Sequence, residues 1–260
     1  MSYLSTSAIV LRRRAYGDFD LILTVLTKDH GISTMIAKAA KKSTKRFGGI
    51  LEHFDGLGIV YRQSRGKGLP ILEEATLERN FGVVRSDVLK TAYASYWSEL
   101  VVLWLEADDP RQDIYDLLAF VLDALASGKV PPAILSLLFQ MRFIGYEGLR
   151  PVLERCTCCQ KEIEQLAQNE FCIDLRQGGI VCNQCPGPDN HNVYIGKGTL
   201  KQLIWMARED LAKALRVRFA PHSMAEATAF LEAFVPYHIG RVPKSLAFLR
   251  QIRMTSNDDS

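Results

Sequence analysis

Six cysteines occur in this chain of 260 residues, and all lie between Cys156 and Cys185. Thiols serving as small core hydrophobes would be scattered, so the clustering points to shared chemistry. Cys182-Asn183-Gln184-Cys185 has the two-residue gap that lets two thiolates on one tight turn reach the same metal. Upstream, "RCTCCQ" offers three candidates, and only Cys156 with Cys159 repeats that gap. The two pairs are separated by 22 residues, slightly beyond the span of roughly 15–20 usual in a zinc ribbon. Four thiolates complete a tetrahedron and leave no position for water. Cys156, Cys159, Cys182 and Cys185 therefore predict one structural Zn2+ rather than a catalytic metal. Cys158 falls inside the knuckle loop, either as a passive small residue or as an alternate ligand. A redox CxxC is the main rival, but it favours a helix N-terminus in a thioredoxin-like βαβ setting, and no such pattern surrounds these pairs. His30, His53, His191, His222 and His238 show neither HExxH nor the HxE and PCxxC spacing of a zinc deaminase.

A second chemistry lies upstream. "AKAAKKSTKRFGG" places Lys38, Lys41, Lys42, Lys45 and Arg46 close together, and Arg62, Arg65 and Lys67 follow. Only Glu52 and Asp55 oppose these eight cations between residues 38 and 67. The overall charge of +3 hides this asymmetry: residues 1–85 carry 14 Lys and Arg against 8 Asp and Glu, and residues 86–260 carry 18 against 21. A localised positive field is what a polyanion-binding domain presents. Phe19, Phe47, Phe54 and Tyr61 lie near the basic positions and are candidates for stacking on bases, each with core packing as its alternative. No GxxxxGK[ST] or GxGxxG loop, paired-carboxylate site or Ser/His/Asp set stands out, so the expectation is a protein that is not an enzyme.

These residues need elements to hold them. Up to about residue 82, short runs rich in aliphatic and β-branched residues ("SAIVLRR", "DLILTVLT", "GISTMIAK", "GLGIVYRQ", "PILEEATLERNF") alternate with turn signals and suggest a small barrel. From Ser86 the period becomes helical. A helix starts at Ser86 or Asp87 and is apolar on most sides, and two more span 110–126 and 133–144. After the cysteines, Thr199 precedes a helix through "LKQLIWMAREDLAKALRV". Ser223 with Glu226 forms a capping box, and "KSLAFLRQI" closes the ordered part before a polar tail from Thr255. No run of roughly 18 apolar residues exists and no signal-peptide pattern opens the chain. A cytoplasmic location without membrane contact is expected.

The order of these parts resembles the RecO family of bacterial DNA repair proteins. The resemblance runs from about Ser7 to Leu249. It rests on "AYGDFDLILTVLTKDHGISTMIAKAAKKSTKRFGGILEHFD", "CTCC…GGIVCNQC" and "HIGRVPKSLAFL". It implies a multidomain α+β chain: an OB-fold barrel over 1–82, then a mostly helical domain over 83–260 carrying a zinc-binding insert at 153–194. It also implies a recombination mediator that binds single- and double-stranded DNA and anneals complementary strands. With RecR, such a mediator helps load RecA on strands coated by single-strand-binding protein (SSB), whose acidic C-terminal tail it contacts. The eight basic residues would lie on the DNA-binding face, and the protein would associate with the nucleoid when active. The competing expectation is a zinc-ribbon and OB adaptor that binds RNA or a protein partner.

Overall fold

A computed structural model describes residues 3–64, 66, 68–187 and 193–258. Arg65, Lys67 and His191 lie outside the described residues. Alternating inward and outward side chains build five strands, β1 (Tyr3–Tyr16), β2 (Asp20–Thr27), β3 (Gly31–Ala37), β4 (Gly56–Arg62) and β5 (Ile71–Arg79). They close into a barrel in the order β1-β2-β3-β5-β4, which is the five-stranded OB arrangement. All neighbours are antiparallel except β3 and β5, which meet in parallel at Ile36 and Ile71. Val10, Leu21, Leu23, Val25, Met35 and Ile59 fill the interior. The register of β1 slips between Val10 and Arg12, so Leu11 forms a bulge and the alternation restarts at the arginine run.

The segment between β3 and β4 closes one end of the barrel. Ala40, Phe47 and Leu51 are buried in the barrel's own core. Phe47 acts as a plug, and the glycines after it have steric reasons. A Cβ at Gly48 would meet the Thr44 carbonyl oxygen at 2.7 Å, and Gly49 has φ +79° in a turn closed by Ile50 N donating to Phe47 O at 3.0 Å.

After the barrel come α1 (Gly82–Arg85), α2 (Val88–Trp104), α3 (Gln112–Ser127) and α4 (Pro132–Tyr146). Asp87 caps α2 as its sequence position suggests, accepting from Lys90 N at 3.0 Å. A small sheet follows, made of β6 (Val152–Cys156), β7 (Glu170–Asp174), β8 (Gly179–Val181) and β9 (Tyr194–Gly196), with a 3-10 turn at Ile163–Gln165. The chain ends in α5 (Lys197–Arg208), α6 (Leu211–Ala214), α7 (Pro221–Ile239) and α8 (Lys244–Asp258).

Packing groups the chain into two compact units, Met1–Lys129 with Pro243–Ser260, and Val130–Val242. The change of sequence period near residue 82 falls inside the first unit, because α2 packs on β1 and α8 packs on α2. Asp55 ties the barrel to α1. This carboxylate is 1% exposed and accepts from Arg85 Nη1 at 2.5 Å and Phe81 N at 3.1 Å. Among the described residues, no helix is long and apolar enough to cross a membrane.

Three local expectations are corrected. The single helix expected after Thr199 starts earlier, at Lys197, and breaks at Glu209, where Asp210 caps the separate α6 by accepting from Lys213 N at 2.9 Å. The Ser223–Glu226 capping box does not form. Pro221, with its pre-set φ, begins α7 two residues earlier. The Glu226 carboxylate instead accepts from Gly196 N at 3.1 Å and from the Thr199 hydroxyl, pinning the start of α5. The tail is helical as far as Asp258 rather than frayed from Thr255.

Candidate nucleic-acid interface and metal centre

The four thiols chosen by spacing converge. Cys156 ends β6, Cys182 follows β8, and these strands are parallel neighbours. The upstream knuckle is closed by Cys156 N donating to Lys161 O and Gln160 N donating to Cys156 O, with Gln160 at φ +62°. The downstream knuckle is closed by Cys185 N donating to Cys182 O at 3.2 Å. The Sγ atoms of Cys156, Cys159, Cys182 and Cys185 all lie within 4.8 Å of one another, and the Cys159–Cys182 pair is 3.8 Å apart. Ligands on metal–sulfur arms of ~2.3 Å at tetrahedral angles stand about 3.8 Å apart, so the set fits a four-thiolate metal.

At Cys156, backbone donors favour the charged form that a metal ligand needs. Burial raises the Cys156 thiol, but the N–H groups of Cys159, Cys182 and Cys158 outweigh it and hold the group at about 6. One of these bonds, from Cys182 N to Cys156 Sγ, is 3.3 Å long. Cys158 points out of the cluster, exposed, with its thiol donating to Gln177 Oε1 at 3.7 Å. Cys172 is half-buried on β7 and also stands apart from the four. A Cys158→Ser protein is therefore expected to keep one metal equivalent per chain, measured by metal analysis after desalting. Loss of that equivalent would move the ligand role to Cys158.

The basic segment is stitched to the β1–β2 hairpin. Lys41 N donates to Phe19 O at 2.9 Å, Ala39 N to Asp20 Oδ1 at 2.7 Å, and Lys41 Nζ to Gly17 O at 2.9 Å. The Lys42 ammonium sits 3.3 Å from the centroid of the Phe19 ring, a cation–π contact. Arg46 Nη2 reaches back to Lys38 O at 3.0 Å. Lys38, Lys41, Lys42, Lys45 and Arg46 are all exposed, and among the described residues none of them forms an ion pair. The loop thus presents five uncompensated charges on a braced backbone. Arg62 differs: it pairs with Glu73 at 3.1 Å, so the barrel already neutralises it.

Three of the aromatic candidates take the core alternative. Phe47, Phe54 and Tyr61 are at most 3% exposed, Phe47 and Tyr61 within the barrel core, and none offers a face to a base. Phe19 remains, 43% exposed at the hairpin tip, with the more open Tyr16 beside it.

Sequence reasoning missed a second cationic strip. Arg12, Arg13 and Arg14 of β1 are exposed, and together with Thr24, Thr34 and His53 they line a depression of about 470 Å³ on the barrel surface. Thr24 lies beside Arg12 and Thr34 beside Thr24, with the two hydroxyl oxygens 3.2 Å apart. Burial, and after it the Arg13 charge, lowers His53 below its ordinary value, consistent with a neutral ring whose Nε2 accepts from Arg13 N at 3.1 Å. The run "LRRRAY" was the available signal: three cations on a strand beside a turn. A further depression of about 520 Å³ opens at the plugged end of the barrel, lined by Arg13, Lys41, Ser43, Thr44, Gly48 and Gly49 among others.

Two family models match the chain. The one described as "Recombination protein O N terminal" covers residues 1–81, and the one described as "Recombination protein O C terminal" covers residues 85–247. A protein named DNA repair protein RecO from Desulfatibacillum aliphaticivorans is 41% identical over 259 residues, covering 97% of this chain and 98% of its own. One of the same name from Desulfosudis oleivorans is 43% identical over 258 residues, covering 97% and 99%. A third, from Anaeromyxobacter sp., is 31% identical over 252 residues, covering 97% and 98%.

Proposed function

Since the chain belongs to the RecO family of DNA repair proteins, we propose that it binds single- and double-stranded DNA, anneals complementary strands and, with RecR, helps load RecA onto strands coated by SSB. The observation that carries this reading is the OB barrel with a braced, uncompensated basic loop beside its open hairpin. OB barrels hold nucleic acid on their strand 2–3 face and neighbouring loops. Here Arg12, Arg14, Thr24 and Thr34 line a depression that shares Arg13 with the one beside Lys41. Backbone contacts of this kind attract a strand without reading its sequence, and they leave base edges free to pair. The reading involves no bond-making step, so the protein acts as a mediator in the bacterial cytoplasm and at the nucleoid. The metal in the four-thiolate site is zinc in a structural role, since a closed tetrahedron leaves no room for substrate.

One groove of the second unit, lined by Glu154, Glu164, Lys201 and Arg208 among others, does not by itself single out a seat for an acidic SSB tail. That groove has Lys201 and Arg208 on its rim, but they already pair at 2.9 Å with Glu164 and Glu154 respectively.

Changing Lys41, Lys42, Lys45 and Arg46 together to Gln tests the loop. Four fewer phosphate contacts flatten the plot of log affinity against log salt by up to about 3 for single strands, which is about 50-fold in affinity between 50 and 200 mM. Fluorescence anisotropy with a labelled oligonucleotide at several salt concentrations reads the slope. An unchanged slope removes the loop from the interface. The wider reading is tested by annealing of complementary strands precoated with SSB. Failure to accelerate annealing, or a preference for structured RNA over single-stranded DNA, would replace it with an adaptor role.

A further inference from the structure

Arg13 lines both barrel depressions, while Arg12 and Arg14 line only one. The reason is strand alternation. Arg12 and Arg14 lie two residues apart on one side of β1, in register with Thr24 and Ile22 of β2. Arg13 is in register with Leu23, a core residue, so it reaches the end of the barrel, where its guanidinium meets Glu52 at 3.4 Å. The bulge at Leu11 sets this phase: without the slipped residue, each arginine would take the opposite side.

From this arrangement we propose that the barrel holds two single strands at once, one along the Arg12–Arg14 side of β1 and one at the plugged end beside Lys41, with Arg13 as the divider between them. The inference rests on the DNA-binding reading above and adds to it the number and placement of the strands. Each depression falls in the range of roughly 300–1,000 Å³ that takes a small ligand, so each seats a nucleotide or two of a strand that continues over the surface. Among the described residues, no carboxylate lines the first depression. In the second, Glu52 is already matched by Arg13. Arg12 and Arg14 stand about 6.6 Å apart along the strand, a spacing that lets them contact successive phosphates of an extended backbone. Two backbones laid side by side repel each other, and the cations on either side of the Arg13–Glu52 divider, Arg12 and Arg14 on one and Lys41 on the other, offset that repulsion. Annealing needs this geometry: two strands within a side chain's reach, each held by its phosphates.

The test is stoichiometry combined with annealing. Native mass spectrometry with an oligothymidylate of about eight nucleotides, within the usual site size of one OB barrel, should show two oligonucleotides bound to each wild-type chain. An Arg12→Gln/Arg14→Gln protein should bind one and anneal complementary strands at least about tenfold more slowly. A Lys41→Gln/Lys45→Gln protein should also drop to one, by losing the other seat. The replaced side chains are exposed, and an unchanged melting temperature verifies folding. One oligonucleotide per wild-type chain, or wild-type annealing by the Arg12→Gln/Arg14→Gln protein, overturns the two-strand arrangement while leaving DNA binding intact. No oligonucleotide bound by the wild type at low salt would overturn the DNA-binding reading and this inference together.

Discussion

Replacing Cys182 by Ser is expected to abolish metal binding and to unfold the small sheet between Val152 and Gly196. Cys182 is 2% exposed, its sulfur stands 3.8 Å from that of Cys159, and its N–H donates to Cys156 Sγ. One substitution therefore removes a ligand from the centre of the cluster. A neutral hydroxyl does not replace a thiolate on zinc, and altering even a residue that only supports a ligand lowers affinity by about 10–100-fold, so loss of the ligand itself exceeds that range. Apart from the packing of β6 and β9 on α5 and α7, the sheet has little else to stand on. Its strands run three to five residues. Its buried apolar set is Leu153, Ile163, Leu166, Phe171, Ile173, Ile180, Val181 and Ile195. A core of that size does not by itself offset chain entropy, whereas structural zinc contributes on the order of 10–16 kcal/mol in small fingers. Metal content and hydrogen exchange of the 152–196 amides check the outcome. Retained metal with unchanged protection would show that Cys182 is not a ligand. Residues 3–129 contribute no thiol to the cluster, so oligonucleotide binding by the barrel should survive.

Arg85→Ala should lower stability by about 3–5 kcal/mol, the usual consequence of stripping the partner from a buried charge. For a chain of this size that corresponds to a fall in melting temperature of roughly 6–20 °C. Asp55 is almost wholly buried, and Arg85 supplies its charged partner at 2.5 Å while also donating to His53 O at 2.8 Å. After the substitution the carboxylate keeps only the neutral Phe81 N–H. Adding Asp55→Asn removes the stranded charge while leaving an oxygen for that N–H, so the double variant should be more stable than Arg85→Ala alone. Thermal melts of both proteins decide the point. A single variant within about 1 kcal/mol of wild type, the range of a surface ion pair, would show that the bond does not hold α1 to the barrel.

Much of this architecture was legible because local signals agreed with tertiary need. The five strands follow from alternation, and Asp87 caps α2 because, among the described residues, its carboxylate has no competing partner. The four thiols follow from matched gaps. Other features depended on a competition that spacing does not display. Glu226 has the right offset from Ser223 for a capping box, but Gly196 and Thr199, some thirty residues away in sequence, hold its carboxylate. Phe47 sits between cations and glycines, and from sequence alone a base-stacking ring and a barrel plug look the same. The arginine run was hidden for a related reason: the bulge at Leu11 decides which arginine faces where, and a bulge leaves no fixed mark in composition.

The joint between β3 and β5 has a consequence for how the barrel breathes. Every other neighbouring pair is laddered along most of its length, but these two strands share one parallel pair, Ile36 with Ile71, plus the bond from Ile36 N to Pro70 O at 2.9 Å. The barrel is a cylinder with one short seam, where sub-global opening takes the fewest hydrogen bonds. The lysine segment leaves β3 immediately beyond that seam, at Ala37 and Lys38. A polyanion lying across it would act as a clasp, stabilising the closed form by RT ln(1 + [L]/Kd). The barrel would then be stiffest when loaded and loosest when it has just released its strands.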